Sequence, residues 1–295
     1  MKREATLELV VRFNKEFKRD WSGVKFSHIT DEASEYLATH ARSFPDWNSL
    51  VDISPRTAAV IVALNRRNPM TRGWIVLDGL KCLSIPAAKV LMGGVKSTGF
   101  IRLNGLSSIS EDLARVLRQS GRGLTLNGVK VLTPSVAKIL AAKPTYLQMD
   151  GLRSISAETA KILGSGNIGA LSFSGLKSLS PAVVRAFKKV PTLHLNGLAR
   201  LNPGLAASLA ATNAHLMLNG VKSLDVACAR ALSLHDNELE LNGLMRISEK
   251  AARELARHQN PCYVWRMGRK GVSQKIQDIL HRPGLVYFGD GKYVY

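Results

Sequence analysis

The chain has 295 residues and carries 41 Lys and Arg against 22 Asp and Glu, a formal net charge of +19. With 45% hydrophobic and 21% charged residues it holds enough apolar surface to offset the entropy of ordering, which excludes wholesale disorder. No apolar run approaches the roughly 18 residues of a membrane span, so no membrane partner is expected.

The opening MKREATLELVVRFNKEFKRD interleaves charged with apolar residues and lacks the continuous apolar core of a secretory signal, so a cytoplasmic location is expected. Cys82, Cys228 and Cys262 are odd in number and form no Cys-x-x-Cys, against both a disulfide framework and a zinc knuckle. A cationic surplus of this size implies an acidic partner, a polyanion or solubility alone, and does not choose among them.

In chain order, residues 1–73 read as an N-terminal helical cap with two degenerate repeats. These are Ile29-Thr30 followed by Ser34 and Leu37, and Ile53-Ser54 followed by Ala58 and Ile61. Residues 74–258 then hold eight segments that align without gaps, among them LDGLKCLSIPAAKVL (77–91), LNGLSSISEDLARVL (103–117), LNGVKVLTPSVAKIL (126–140) and LNGLMRISEKAAREL (241–255). Their shared glycines, Gly79, Gly105, Gly128, Gly151, Gly175, Gly197, Gly220 and Gly243, are spaced by 26, 23, 23, 24, 22, 23 and 23 residues. A fixed period of this length marks a stacked-repeat architecture.

Each unit reads as strand, turn and helix. The Leu-x-Leu segments 124–126, 193–195 and 216–218 alternate apolar and variable residues as a half-buried strand does, with the variable residue facing solvent. Asn-Gly, Asp-Gly or Ser-Gly follows, a turn in which glycine supplies positive φ. In parallel strands Asn104, Asn127, Asn196, Asn219 and Asn242 would stack as a ladder of buried amides. Ser84, Ser110, Thr133, Ser156, Ser180, Asn202, Asp225 and Ser248 stand as helix N-caps, and Thr30, Ser54 and Ser273 occupy the same place in the weaker units. Pro55, Pro134, Pro181 and Pro203 fill the first helical position, where a missing N–H is harmless. Stretches 65–73 and 94–99 read as loop insertions. Residues 259–295 read as one more degenerate repeat, around Val272-Ser273 and Leu280, closed by a hairpin of Leu285–Phe288 and Tyr293–Tyr295 about Asp290-Gly291.

The pattern LxLNGLxxLSxxxAxxLA resembles the short leucine-rich repeat of about 23 residues found in many bacterial proteins. The resemblance implies an α/β solenoid with a parallel sheet on a concave side, short helices on a convex side and degenerate capping repeats at both ends. It also implies use as a recognition scaffold without chemistry of its own.

In such a repeat the variable positions that align from unit to unit are where a partner is read. Two strand positions supply Trp74, Val76, Arg102, Tyr146, Gln148, His194, His215, Met217 and Glu240, with Phe100 ahead of an insertion-shifted strand. This mixture of aromatic, polar and charged residues suits a protein partner. Two residues after the glycine stand Lys81, Lys130, Arg153, Lys177 and Lys222. Ten after it, on the helix, stand Lys89, Arg115, Lys138, Lys161, Arg185, Arg230 and Arg253. In the bacterial repeats that the sequence resembles, the helix position is often acidic, so a cationic column is a departure that the fold does not require.

From Lys81 to Arg230 there are 19 basic and 5 acidic residues, whereas acids outnumber bases from Asp236 to Glu254. The expected function is non-enzymatic recognition of an acidic protein on the sheet. The alternative is binding of a DNA or RNA backbone through the basic columns, whose phosphates would neutralise them. Bases of a single strand also need stacking platforms, and only Trp74, Phe100 and Tyr146 offer themselves.

His194, His215, Glu238 and Glu240 are ligand types that suit a transition metal, but their diagonal placement sets them apart and no metal or other cofactor is expected. Gly121-Arg122-Gly123 and Gly164-Ser165-Gly166 follow helices and read as C-caps, not phosphate loops, so no small-molecule substrate is expected. Some bacterial leucine-rich-repeat effectors carry a ubiquitin-ligase domain with a nucleophilic cysteine. About 37 residues follow the last clear unit, too few for that domain, so no catalytic role is expected for Cys262.

Overall fold

The structure, a computed structural model, describes residues 4–16, 18, 20–41, 43, 46–67, 73–94, 99–142, 145–264, 273–280 and 286–287. The chain forms two compact units, residues 1–130 with 142–148 and residues 131–141 with 149–295.

The first unit runs β1 (Glu4–Ala5), α1 (Leu7–Glu16), β2 (His28–Ile29), α2 (Asp31–His40), α3 (Pro55–Arg67), β3 (Trp74–Val76), α4 (Ile85–Gly94), β4 (Phe100–Arg102), α5 (Glu111–Leu117), β5 (Gly123–Thr125) and β6 (Tyr146–Gln148). Strands β3, β4, β5 and β6 lie side by side, all parallel. The second unit begins with α6 (Pro134–Leu140), α7 (Ala157–Gly164), β7 (Ala170–Ser172), α8 (Pro181–Ala186), β8 (Thr192–His194), α9 (Pro203–Ala210) and β9 (His215–Met217). It continues through β10 (Ser223–Leu224), α10 (Val226–Leu232), β11 (Leu239–Glu240), β12 (Arg246–Ile247), α11 (Glu249–Leu255), β13 (Cys262–Tyr263), α12 (Gln274–Leu280) and β14 (Val286–Tyr287). Here β7, β8, β9, β11, β13 and β14 are neighbours in that order, and the pairs among them are parallel. The fold is an α/β leucine-rich-repeat solenoid.

The repeat positions explain why. The leucines that flank the variable strand residue, such as Leu124 and Leu126 or Leu216 and Leu218, are fully buried, as are Ala137 and Leu140 on the helix side. Each coil therefore buries one strand edge and one helix stripe against the same core, and its neighbours complete the burial. Ser110, Thr133, Ser156, Ser180, Asn202, Asp225 and Ser248 all accept the N–H three residues on, as N-caps do. Ser84, Thr30 and Ser54 do the same at Ala87, Ala33 and Thr57.

Three expectations need correction. The glycine of the Asn-Gly turn has no positive φ; among the described glycines only Gly23 and Gly73 do. It is glycine because a Cβ at Gly105 or Gly128 would run into the backbone carbonyls of the preceding coil, Asp78 and Leu80 or Asn104 and Leu106. Gly164 and Gly166 likewise leave room for the carbonyls of Ala186 and Ala141, and neither sits in a left-handed cap. The asparagine ladder exists, but half-buried. Asn104 Oδ1 accepts the Asn127 N–H at 2.9 Å, and Asn196 and Asn219 do so for Asn219 and Asn242 at 2.9 and 2.8 Å. Thirdly, the variable strand residue does not always face solvent: Thr125 and Ser172 are 4% and 2% exposed.

The repeat begins earlier than the sequence suggests. Ala5 and Ile29 pair across β1 and β2, and the Thr6 hydroxyl accepts the Leu9 N–H, so Thr6 stands where Thr30 and Ser54 stand in the next coils. No Asn-Gly marks that first coil. Residues 65–67 belong to the end of α3 rather than to a loop. The C-terminal hairpin lies largely outside the described residues; its described part, Val286–Tyr287, pairs in parallel with Cys262–Tyr263. Cys228 and Cys262 are buried, and burial pushes both thiols up to about 12, which leaves them protonated and inert. Cys82 is exposed.

Candidate recognition surface

Parallel pairing with no register slip turns each variable strand position into a row. In the first unit Trp74, Phe100, Gly123 and Tyr146 pair in succession, as do Val76, Arg102, Thr125 and Gln148. Phe100 is thus in register, and the extra residues before it do not displace its strand. The Trp74 and Phe100 rings stack with centroids 4.9 Å apart and planes at 23°, and Tyr146 leans on Phe100 at 5.8 Å. Gly123 makes this possible, since a Cβ there would occupy the place of the Phe100 ring. Trp74 remains 51% exposed.

Neutral groups border these rings. The Tyr146 hydroxyl donates to Gln148 Oε1 at 3.0 Å. Arg102 is held by Asp78 at 2.6 Å, and the same carboxylate accepts the Asn104 N–H. Asp78 therefore does two jobs, filling the asparagine place in the ladder and neutralising the one cation of this row. The Asp-Gly in place of Asn-Gly was the sequence signal for it.

The second unit carries a different face. Thr192 pairs with His215, and Ser172, His194, Met217, Glu240 and Tyr263 form the inner row. His215 lies between two carboxylates, Nδ1 at 3.6 Å from Glu238 and Nε2 at 3.3 Å from Glu240. Glu240 also accepts from the side-chain amides of Asn219 and Asn242, at 2.9 and 3.2 Å. Both asparagines are ladder residues, so the ladder orients the carboxylate.

Contact with Glu240 holds the His215 pKa above its ordinary value despite burial. Burial pushes His194 down, and the more distant Asp150 and Glu240 only partly oppose it. Glu240 is raised by burial but lies below its ordinary value on balance, because His215 and Asn219 stabilise its charge. Among the described residues no three His, Cys, Asp or Glu side chains converge in a way that could hold a metal ion.

All twelve predicted basic residues are exposed. In the first unit these are Lys81, Lys130, Lys89 and Arg115. In the second they are Arg153, Lys177, Lys222, Lys138, Lys161, Arg185, Arg230 and Arg253. Two of the twelve have acidic partners: Arg115 pairs with Glu111 and Asp112, and Arg230 with Glu254. The other ten make no ion pair among the described residues. In the turn column the backbone is shared between coils, Lys81 N–H donating to Val51, Lys130 to Ser107 and Lys222 to Ala199. The fold thus needs the main chain at these positions and leaves the side chains to the solvent.

No family model and no curated protein matches the sequence. Among solved structures the chain is similar to an internalin of Listeria monocytogenes, at 10% identity and a TM-score of 0.47, over 89% of this chain and 72% of that one. It is also similar to a chain of the Toll–Spätzle complex of Drosophila, at 11% identity and a TM-score of 0.38, over 81% of this chain and 42% of that one. No helix among the described residues is long and apolar enough to cross a membrane.

Proposed function

We propose that this protein is a non-catalytic recognition scaffold that takes an acidic protein partner on the strand faces of its coils. The observation that carries this reading is the separation of roles within each coil. The core positions are filled by buried Leu and Ala, while the exposed cations and most of the strand-row side chains lie outside that core. Ten exposed cations with no ion pair among the described residues, set on a repeating frame, attract negative charge. The aromatic, Met and Arg side chains of the strand rows are the residue types enriched where proteins are recognised. The partner-contacting residues in this reading are Trp74, Val76, Arg102, Tyr146 and Gln148 in the first unit, and His194, His215, Met217 and Glu240 in the second.

The test is binding of immobilised poly-L-glutamate by the purified chain and by two variants. Reversal of Lys81, Lys130, Lys177 and Lys222 to Glu removes the cations that follow the strands and abolishes binding. Reversal of Lys138, Lys161 and Arg185 to Glu on the helices leaves most of it. Loss in the helix variant alone contradicts the reading.

A second reading, binding of a nucleic-acid backbone through the helix column, is favoured by one observation. Lys138, Lys161, Arg185 and Arg253 are exposed and make no ion pair among the described residues, so this column presents positive charge that the chain does not neutralise. It predicts affinity for random duplex DNA that falls steeply with salt. Absence of binding at about 100 mM salt removes it.

A further inference from the structure

We infer that the stacked rings of Trp74, Phe100 and Tyr146 are the anchor of the recognition surface, and that they take an aromatic or proline ring from an extended acidic segment of the partner. This deepens the proposal above and rests on it.

The rings are not a by-product of the core. Trp74 is half exposed although a hydrophobic ring of its size is ordinarily covered, and Phe100 covers one strand neighbour only because residue 123 is glycine. The shelf is thus assembled across four strands by side chains that leave the Leu positions beneath untouched. Its border is neutral. Val76 is apolar, Gln148 is hydrogen-bonded to Tyr146, and Arg102 is neutralised by Asp78. Cations stand further out: Arg122 precedes Gly123, and Lys81 and Lys130 follow the turns of their strands, all three exposed and without an ion pair among the described residues.

An apolar centre with a neutral hydrogen-bonding border and a charged rim is the anatomy of a protein-binding hot spot. Charge selects the occupant. Between Ile53 and Gln148 the acids are Asp78, Glu111 and Asp112, and each is paired, with Arg102 or Arg115. Nothing acidic remains free there to greet a basic segment, whereas an acidic one meets unpaired Arg122, Lys81 and Lys130. A single nucleic-acid strand requires a cation beside its stacked bases to track the phosphates. The one cation on these rows is already bound to Asp78 and the unpaired cations stand at the rim, an arrangement that suits carboxylates flanking a peptide ring better than a phosphate at every stacked base.

The experiment is selection of a randomised dodecapeptide display library on the full chain, followed by solution affinities of the selected peptides and of an oligothymidylate. The wild-type chain enriches peptides in which Asp and Glu flank a Phe, Tyr, Trp or Pro. Trp74→Ala weakens them about tenfold or more and Trp74→Phe restores most of the affinity, while the chain stays folded with a slightly lowered melting temperature, since half-exposed Trp74 gives up only its stack on Phe100. Acidic peptides without a ring, or ring-bearing peptides that bind Trp74→Ala equally well, overturn the anchor and leave the acidic-partner reading standing. No enrichment of acidic peptides overturns both. Oligothymidylate bound in a Trp74-dependent way overturns the peptide as occupant.

Discussion

The two units build their strand faces from the same backbone rows and fill them with opposite chemistry. In the first, the rows carry a stack of rings whose neighbouring charges are cancelled locally, Arg102 by Asp78. In the second, they carry His215 set between Glu238 and Glu240, braced by Asn219 and Asn242. One face is suited to an apolar ring; the other is polar and sets a histidine between carboxylates. The frame therefore sets where side chains point, and only the variable positions set what each face can meet.

The frame itself is the hardest thing to change. Gly128→Val drives a side chain into the carbonyls of Asn104 and Leu106, and is expected to lower the stability of the first unit by about 3 kcal/mol, read from chemical denaturation. Gly220→Val does the equivalent to the second against Asn196 and Leu198. If glycine were there only for chain flexibility, Ala at these positions would be tolerated and Val little worse.

A smaller effect separates the two faces. Asn219→Ala removes the acceptor for the Asn242 N–H and a donor to Glu240, and should cost about 2 kcal/mol. Asn104→Ala removes only the acceptor for Asn127 N–H and should cost less. Equal losses would mean that the amide contact to Glu240 contributes nothing.

The second unit should also respond to pH, and the signs differ between its histidines. His215 has its pKa raised in the folded chain, so its stabilisation is fully present below the ordinary value of 6.5 and is lost as pH rises through the raised pKa. His235 and His258 are buried with rings 6.1 Å apart, and burial lowers both pKa values. Their contribution is intact above 6.5 and is lost as pH falls through their lowered pKa values, so acid should loosen the coils that hold them. Histidine NMR titrations should place His215 above 6.5, and His194, His235 and His258 below it. His215 titrating below His194 would break the assignment.

Much of this was legible in the sequence. The buried leucines and the N-caps were readable because each fills the same place in coil after coil, so repetition made weak local signals strong. Repetition also misled: the glycine recurs because another coil's carbonyls press on it, and a one-dimensional pattern shows recurrence without its cause. Ala5-Thr6 was missed because that coil has Ala5 where the next two have Ile29 and Ile53, and Val10 where they have the small Ser34 and Ala58. Trp74, Phe100 and Tyr146 could be placed in one row, but their stacking depends on what Gly123 lacks. The asparagines' hold on Glu240 was invisible because ladder and face were read as separate features.

The smallest expected effect concerns the paired surface cations. Arg115→Ala and Arg230→Ala remove exposed arginines from their ion pairs, where solvent screening leaves little net stabilisation, and Glu254 keeps Arg257 as a partner, so melting temperatures should shift barely or not at all.

The most direct measurement of the central claim, that partners meet the strand side of the coils, is the acetylation rate of each lysine with and without bound poly-L-glutamate. The account predicts that Lys81, Lys130, Lys177 and Lys222 are shielded while Lys89, Lys138 and Lys161 react as in the free chain. Shielding of the helix lysines with the turn lysines left open would contradict it.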